Sequence, residues 1–285
     1  MRPDTVSVIL RSASFIALFQ AAGMVFFIAM FGRRLEASLP ALRRITKLTA
    51  IAAAAFLIGQ YALEAARMAD DMAGIADPSL QMIAMHSASS AVLVLRLLGL
   101  SVIVGALGRS DMGMTVSVIG AAGVIASFLL IGHTAAHPLR WALASLLLLH
   151  LLIVAFWFGA LLSLYLATQR ESALIAAKVT DSFSRVAAWV VPGIFAAGLL
   201  MGLVLVRHIV EFRSAYGISL LIKAGGFALL MGLAALNKWR LGPAIASGNP
   251  QGLHAFRSSL IVEYLLIGTV LSVTAAMTTL FSPEP

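Results

Sequence analysis

Eight stretches of this sequence are predominantly apolar for the length of a membrane crossing, at about residues 6–31, 41–64, 86–107, 113–132, 142–167, 186–206, 217–237 and 258–280. A helix needs about 20 such residues to cross the hydrocarbon core of a bilayer. Inside that core every backbone N–H and C=O must find a partner within the protein, which helices achieve segment by segment. The expected fold is therefore all-α: a polytopic integral membrane helical bundle of about eight transmembrane helices. Eight spans consume roughly 160 residues, and what remains of the 285 is too little for a separate soluble domain. The chain reads as one transmembrane domain over residues 1–285. Composition agrees, since 61% of residues are hydrophobic and only 11% charged. The first stretch is too long for a signal-peptide core and is expected to remain as a span.

Basic residues give the orientation. Arg33, Arg34, Arg43, Arg44, Lys47, Arg109, Arg170, Lys178, Arg185, Lys238, Arg240 and Arg257 fall in one set of alternate loops. The other set holds Arg2, Arg11, Arg67, Arg140, Arg207, Arg213 and Lys223. The richer side is expected to be cytoplasmic, which places both termini outside, N-out and C-out. In such a chain a net charge of +8 marks cytoplasmic loops and is no footprint of nucleic acid. Trp141, Trp189, Trp239 and Tyr216 fall near span ends, where aromatic anchors sit at the lipid headgroups.

With this orientation five of the six histidines, all but His254, collect towards the outer side. His133 and His137 are spaced i and i+4, so on a helix their imidazoles share a face and can converge on one ion. If Pro138 stops the helix, they are instead two hydrated imidazoles in a turn. Met82 and His86 repeat the spacing with a thioether, and thioether plus imidazole suits copper better than magnesium or calcium. The competing reading of the methionine is apolar filler. His150 lies about 12 Å into the fifth span, with Trp157 on the same face. An ionisable group at that depth faces the bundle interior, as a ligand or as a structural histidine bonded to a neighbouring helix.

Arg96, Lys223 and Glu263 are the other charges inside spans, and Glu64 sits at a span edge with Gln60 one turn earlier. Arg96 and Glu263 are candidates for an internal pair, and Lys223 for snorkelling to the interface. Gly198 and Gly202 make a G-x-x-x-G spacing that suggests close helix packing. The absence of cysteine excludes disulfides and thiolate metal sites. No Walker-type loop, H-E-x-x-H or G-x-S-x-G is present, so no enzymatic activity is expected.

Several segments resemble the copper resistance D family, the CopD/PcoD inner-membrane proteins. They are Leu149-His150-Leu151-Leu152 with Trp157 and Gly159, Phe183-Ser184-Arg185, Tyr216-Gly217 with Lys223, and Leu236-Asn237-Lys238-Trp239-Arg240-Leu241 with Pro243. Thr278-Thr279-Leu280-Phe281-Ser282-Pro283 and Leu95-Arg96-Leu97 add to the likeness. The resemblance covers most of residues 41–285, whereas the first 40 match only in hydrophobicity. It implies copper handling at the bacterial inner membrane, with uptake from periplasm towards cytoplasm and a periplasmic copper carrier of the CopC type as partner.

The resulting expectation is a copper-binding membrane protein with His133 and His137 as first ligands, His86 and Met82 completing a neighbouring or shared site, and His150 as a deeper ligand. Arg96, Lys223 and Glu263 would hold the bundle or tune its field. The rival is a b-type haem redox protein, since His86, His137, His150 and His208 lie on four spans or span ends. A non-catalytic scaffold for a periplasmic partner is the third reading.

Overall fold

The computed structural model describes residues 3–131, 138–205 and 215–280. The described residues are helical and contain no strand. The helices are α1 (Pro3–Phe31), α2 (Leu39–Ala69), α3 (Pro78–Met85), α4 (Ala88–Ala106), α5 (Asp111–Ala126), α6 (Arg140–Arg170), α7 (Ala173–Leu205), α8 (Ala215–Leu236), α9 (Gly242–Ala246) and α10 (Pro250–Leu280). Short 3-10 turns cover Gly32–Arg34, Met72–Ala76 and Ser127–Leu130, and a π turn covers Asn237–Leu241. Eight segments are long and apolar enough to cross a membrane, as the hydropathy pattern predicts.

Most helices outrun the apolar stretches that announce them. α7 has 33 residues, about 50 Å at 1.5 Å per residue, against a hydrocarbon core of about 30 Å. Its first turns carry Lys178 and an exposed Arg185–Asp181 pair, and Ser182 accepts a hydrogen bond from Arg34 at 2.8 Å. Charged residues end an apolar run without ending a helix, because Lys, Arg and Glu are good helix formers in water. Trp189 therefore stands inside α7, one turn past Arg185, rather than at a helix end.

The other ends have local causes. Asp70 closes α2 at φ 52°, a left-handed position. Asp77 caps α3, its Oδ1 accepting from the Ser79 amide at 2.8 Å and the Ser79 hydroxyl at 2.6 Å. Ser110 caps α5 by accepting from the Gly113 amide at 3.0 Å. At the far side Glu171 Oε1 accepts from the Ser38 amide at 2.7 Å and its hydroxyl at 2.6 Å, tying the α1–α2 connection to the end of α6.

α1 occupies the centre. Its most apolar window is 72% buried, against 28% for that of α2, and α1 packs on α2, α5, α6 and α10. Small residues allow this. A Cβ on Gly23 would lie 1.8 Å from the Ala155 carbonyl oxygen, and one on Gly159 would lie 2.1 Å from the Gly23 carbonyl carbon. Gly99 and Gly120 make a second close approach, between α4 and α5. The G-x-x-x-G spacing of α7 works otherwise: nothing lies within 4 Å of a Cβ built on Gly202, and Gly198 faces the His150 ring. Both ends of the described chain lie on one face, the terminal face, where Arg11 Nη1 donates to the Thr278 carbonyl at 3.0 Å. The connections Gly32–Ser38, Leu107–Ser110 and Glu171–Ser172 mark the opposite, basic face.

Candidate functional site

The sequence candidates fall into three places. At the terminal face, α3 packs against α2 and α4 and presents Met82 and Met85 outward, with Met68 and Met72 also exposed. His86 does not begin the third span. It caps the C-terminus of α3, because extended backbone at Ser87 separates α3 from α4. The imidazole is exposed, and its Nδ1 lies 2.8 Å from the Met82 carbonyl oxygen. A carbonyl only accepts, so Nδ1 carries the proton and Nε2 keeps its lone pair. The contact is with the Met82 backbone carbonyl, and the Met82 side chain is exposed. Nearby, hydrogen bonds from Ser79 and the Leu80 amide hold the Asp77 carboxyl below the usual carboxylate range.

The second place is within the bundle. His150 stands ten residues along α6, about 15 Å from Arg140. Its Nδ1 donates to the Ile194 carbonyl of α7 at 3.3 Å, and that bond again leaves Nε2 free. Gly198 makes room: a Cβ there would sit 3.8 Å from the imidazole Cε1, in ordinary contact. Lys223 of α8 is near enough to act on the ring electrostatically. Lys223 is half-buried.

His133 and His137 lie outside the described residues, as does His208. Among the described residues no group of three or more His, Asp or Glu side chains gathers at metal-binding distance. His86 and His150 sit on separate helix pairs, α3 against α2 and α4, and α6 against α7. The donors do fit a soft cation. Two imidazoles keep an available Nε2, Met82 and Met85 stand exposed on the helix that His86 caps, and oxygen cages of the magnesium or calcium kind are absent among the described residues.

The third place holds the remaining intramembrane charges, which do not pair as expected. Arg96, only 5% exposed, donates from Nε to the Ser127 hydroxyl at 2.8 Å and lies 4.2 Å from the Phe128 ring centroid. Glu263 instead accepts from the Asn237 amide, with Ser259 one turn before it and the Trp157 indole close by. Each has found a partner on another helix, so the Arg96–Glu263 pair does not form. Trp157, seven residues past His150 on α6, lies close to Glu263. Asn237 carries no local signal that would have tied it to Glu263, whereas Ser259 lies one turn before it on the same helix.

Glu64 has Ser89, Arg11 and Arg67 close by. Gln60, its amide oxygen turned to Arg11, accepts from Arg11 Nη2 at 3.2 Å and donates to Ser14. Arg67 pairs with Asp4 at 3.0 Å and donates to the Thr279 carbonyl at 3.2 Å. This network joins α1, α2 and α10 at the terminal face.

Known proteins with similar sequences bear on these placements. The family model described as "Copper resistance protein D-like, N-terminal domain" matches residues 2–141, and "Copper resistance protein D" matches residues 177–277. His150 and Trp157 lie between the two matches. A curated relative, "Copper resistance protein D" of Pseudomonas syringae pv. tomato, is 31% identical over 150 residues, covering 48% of this chain and 48% of that protein. The match thus spans about half the length of the relative. No solved structure matches the chain. With both parts of the family pattern in order along an eight-span bundle, the chain belongs to the copper resistance protein D family.

Proposed function

We propose that this protein binds copper at its terminal face, which faces the periplasm, and passes it through the inner membrane towards the cytoplasm. Copper is cargo in this reading, and the chain is a carrier rather than an enzyme. His133 and His137 are the first ligands, with His86 and Met82 beside them, and His150 receives the ion deeper in the bundle. A periplasmic copper carrier of the CopC type delivers the ion to the terminal face. The family supports a role in copper resistance or homeostasis, and the excess of basic residues on the opposite face supports the orientation.

The observation that carries the reading is the His150–Ile194 hydrogen bond. A metal-ligating histidine commonly donates its other ring N–H to a carbonyl or carboxylate, which fixes the tautomer and aims the free nitrogen. An intramembrane imidazole held this way is oriented for a ligand on Nε2.

The test measures metal content, visible spectrum and copper accumulation for the wild type and His150→Ala. Copper without a Soret band is expected in the purified wild type, whereas iron with a Soret band would replace this reading by the haem one. His150→Ala is expected to lower accumulation several-fold while capture at the terminal face persists. Wild-type accumulation by a normally expressed His150→Ala protein would overturn the assignment. Loss of capture is expected only when His133 and His137 are both changed to alanine.

A further inference from the structure

Glu263 is 2% exposed near the middle of α10, within a segment able to cross the membrane. A carboxylate in such a setting is costly unless it is paired or protonated. Glu263 has no ion pair: among the described residues the ion pairs are Arg67–Asp4 and Arg185–Asp181. Every element packed on α10 repeats this. α1 carries no charge between Arg11 and Arg33, and α9 carries none at all. α6 holds only His150 between Arg140 and Arg170, about 10 Å from Trp157 along the helix. On α8 the only charge is Lys223, at the level of His150. Lys238 and Arg240 of the π turn are exposed, and on α10 itself Arg257 is bonded to the Thr168 hydroxyl and carbonyl.

What surrounds the carboxyl is neutral and directional. The Asn237 amide donates to it, Ser259 Oγ stands 3.5 Å away, and the Trp157 indole is close by. Asn237 opens the π turn, and it is half-buried while the next three residues are exposed. Its Oδ1 is buried and has no hydrogen-bond partner. An amide offers both a donor and an acceptor. With Glu263 ionised, Asn237 Nδ2 donates to it. With Glu263 protonated, a half-turn of the amide lets Oδ1 accept the new O–H. One neighbour thus satisfies either state.

We propose that Glu263 is a proton-binding site within the membrane, positioned by Asn237, and that its proton is exchanged for the charge of a copper ion passing along α6. The site itself stands on the geometry above, and the exchange rests on the copper reading. As the cation comes alongside, the carboxyl becomes a carboxylate and its proton leaves to water. One positive charge replaces another, and no electron moves.

The experiment uses the full chain in liposomes. Infrared difference spectra across a pH titration are expected to show a protonated-carboxyl C=O band in the wild type that is lost in Glu263→Gln and shifted in Asn237→Ala. Identical bands in the wild type and Glu263→Gln would overturn the site. Should the glutamine variant fail to insert, Glu263→Asp carries the same measurement, with a shifted band expected and an unshifted one overturning the site. In the same vesicles copper(I) supplied outside is expected to enter with a response from a trapped pH dye. Glu263→Gln is expected to cut that uptake at least tenfold and remove its pH dependence. Copper uptake with no dye response overturns the exchange and leaves the copper reading standing. Wild-type vesicles that take up no copper overturn the copper reading and the exchange with it, while the infrared result still decides the site.

Discussion

Gly23 and Gly159 face each other across α1 and α6 with no space for a side chain on either, and the two backbones touch there. The contact lies in the main core, beside Met24, Ala155 and Phe158, all fully buried. Gly159→Ala is expected to push α1 and α6 apart, at a cost of about 1–3 kcal/mol or more, as overpacking does. Thermal unfolding in detergent checks this, with Gly202→Ala as the control that meets nothing within 4 Å. An unchanged midpoint for Gly159→Ala would contradict the packing.

Gly198 gives a graded test of His150. An added methyl would sit in ordinary contact with the imidazole, so Gly198→Ala should leave copper accumulation near wild type. A branched side chain must displace the ring from the Ile194 carbonyl. Gly198→Ile is therefore expected to reproduce the accumulation defect of His150→Ala, and normal accumulation in it would count against the role of that hydrogen bond.

Arg96 separates charge from packing. Replacing it with methionine removes a buried charge and keeps the volume, a change that is often neutral or stabilising. Arg96→Met should retain the wild-type unfolding midpoint, whereas Arg96→Ala, which empties the space over Phe128, should lose about 2–4 kcal/mol. Equal losses in the two variants would show that the charge itself is required.

Asp77 makes α3 sensitive to acid. Its carboxyl is held below its ordinary value, so the stability it adds to the helix start is present above that ordinary value and lost as pH falls through the lowered one. Hydrogen exchange at the Ser79 and Leu80 amides, corrected for the intrinsic pH dependence, should quicken in that acidic window. Asp77→Asn should abolish the pH dependence while still capping the helix.

The orientation is checked with reporter fusions. A fusion after residue 175, just beyond the α6–α7 connection, should report cytoplasm. One after residue 75, in the segment between α2 and α3, should report periplasm. The reverse result would move His86 and Met82 to the cytoplasmic side.

The eight spans were legible because the bilayer sets a length that a run of apolar residues must match. Their ends were not, since Lys178 and Arg185 leave the apolar run but stay in α7. His86 was misplaced by two residues' worth of geometry: only the extended backbone at Ser87 puts it on α3 rather than α4. The glycine signal pointed to the wrong helix for a related reason. Gly198 and Gly202 share a local spacing, whereas Gly23 and Gly159 lie far apart in sequence and meet only through the fold. The same holds for Glu263, whose partner Asn237 comes from the π turn after α8. His150 could be marked from depth alone, but its tautomer required the Ile194 carbonyl to be located.

The central place of α1 bears on how the bundle is assembled in the cell. α1 is made before α6 and α10, the helices that cover it, and Arg11 and Arg67 reach the carbonyls of Thr278 and Thr279 in the last turn of α10. Until these two helices emerge, therefore, the innermost helix has lipid or an assembly factor in place of α6 and α10. The core closes only once the eighth span has left the insertion machinery.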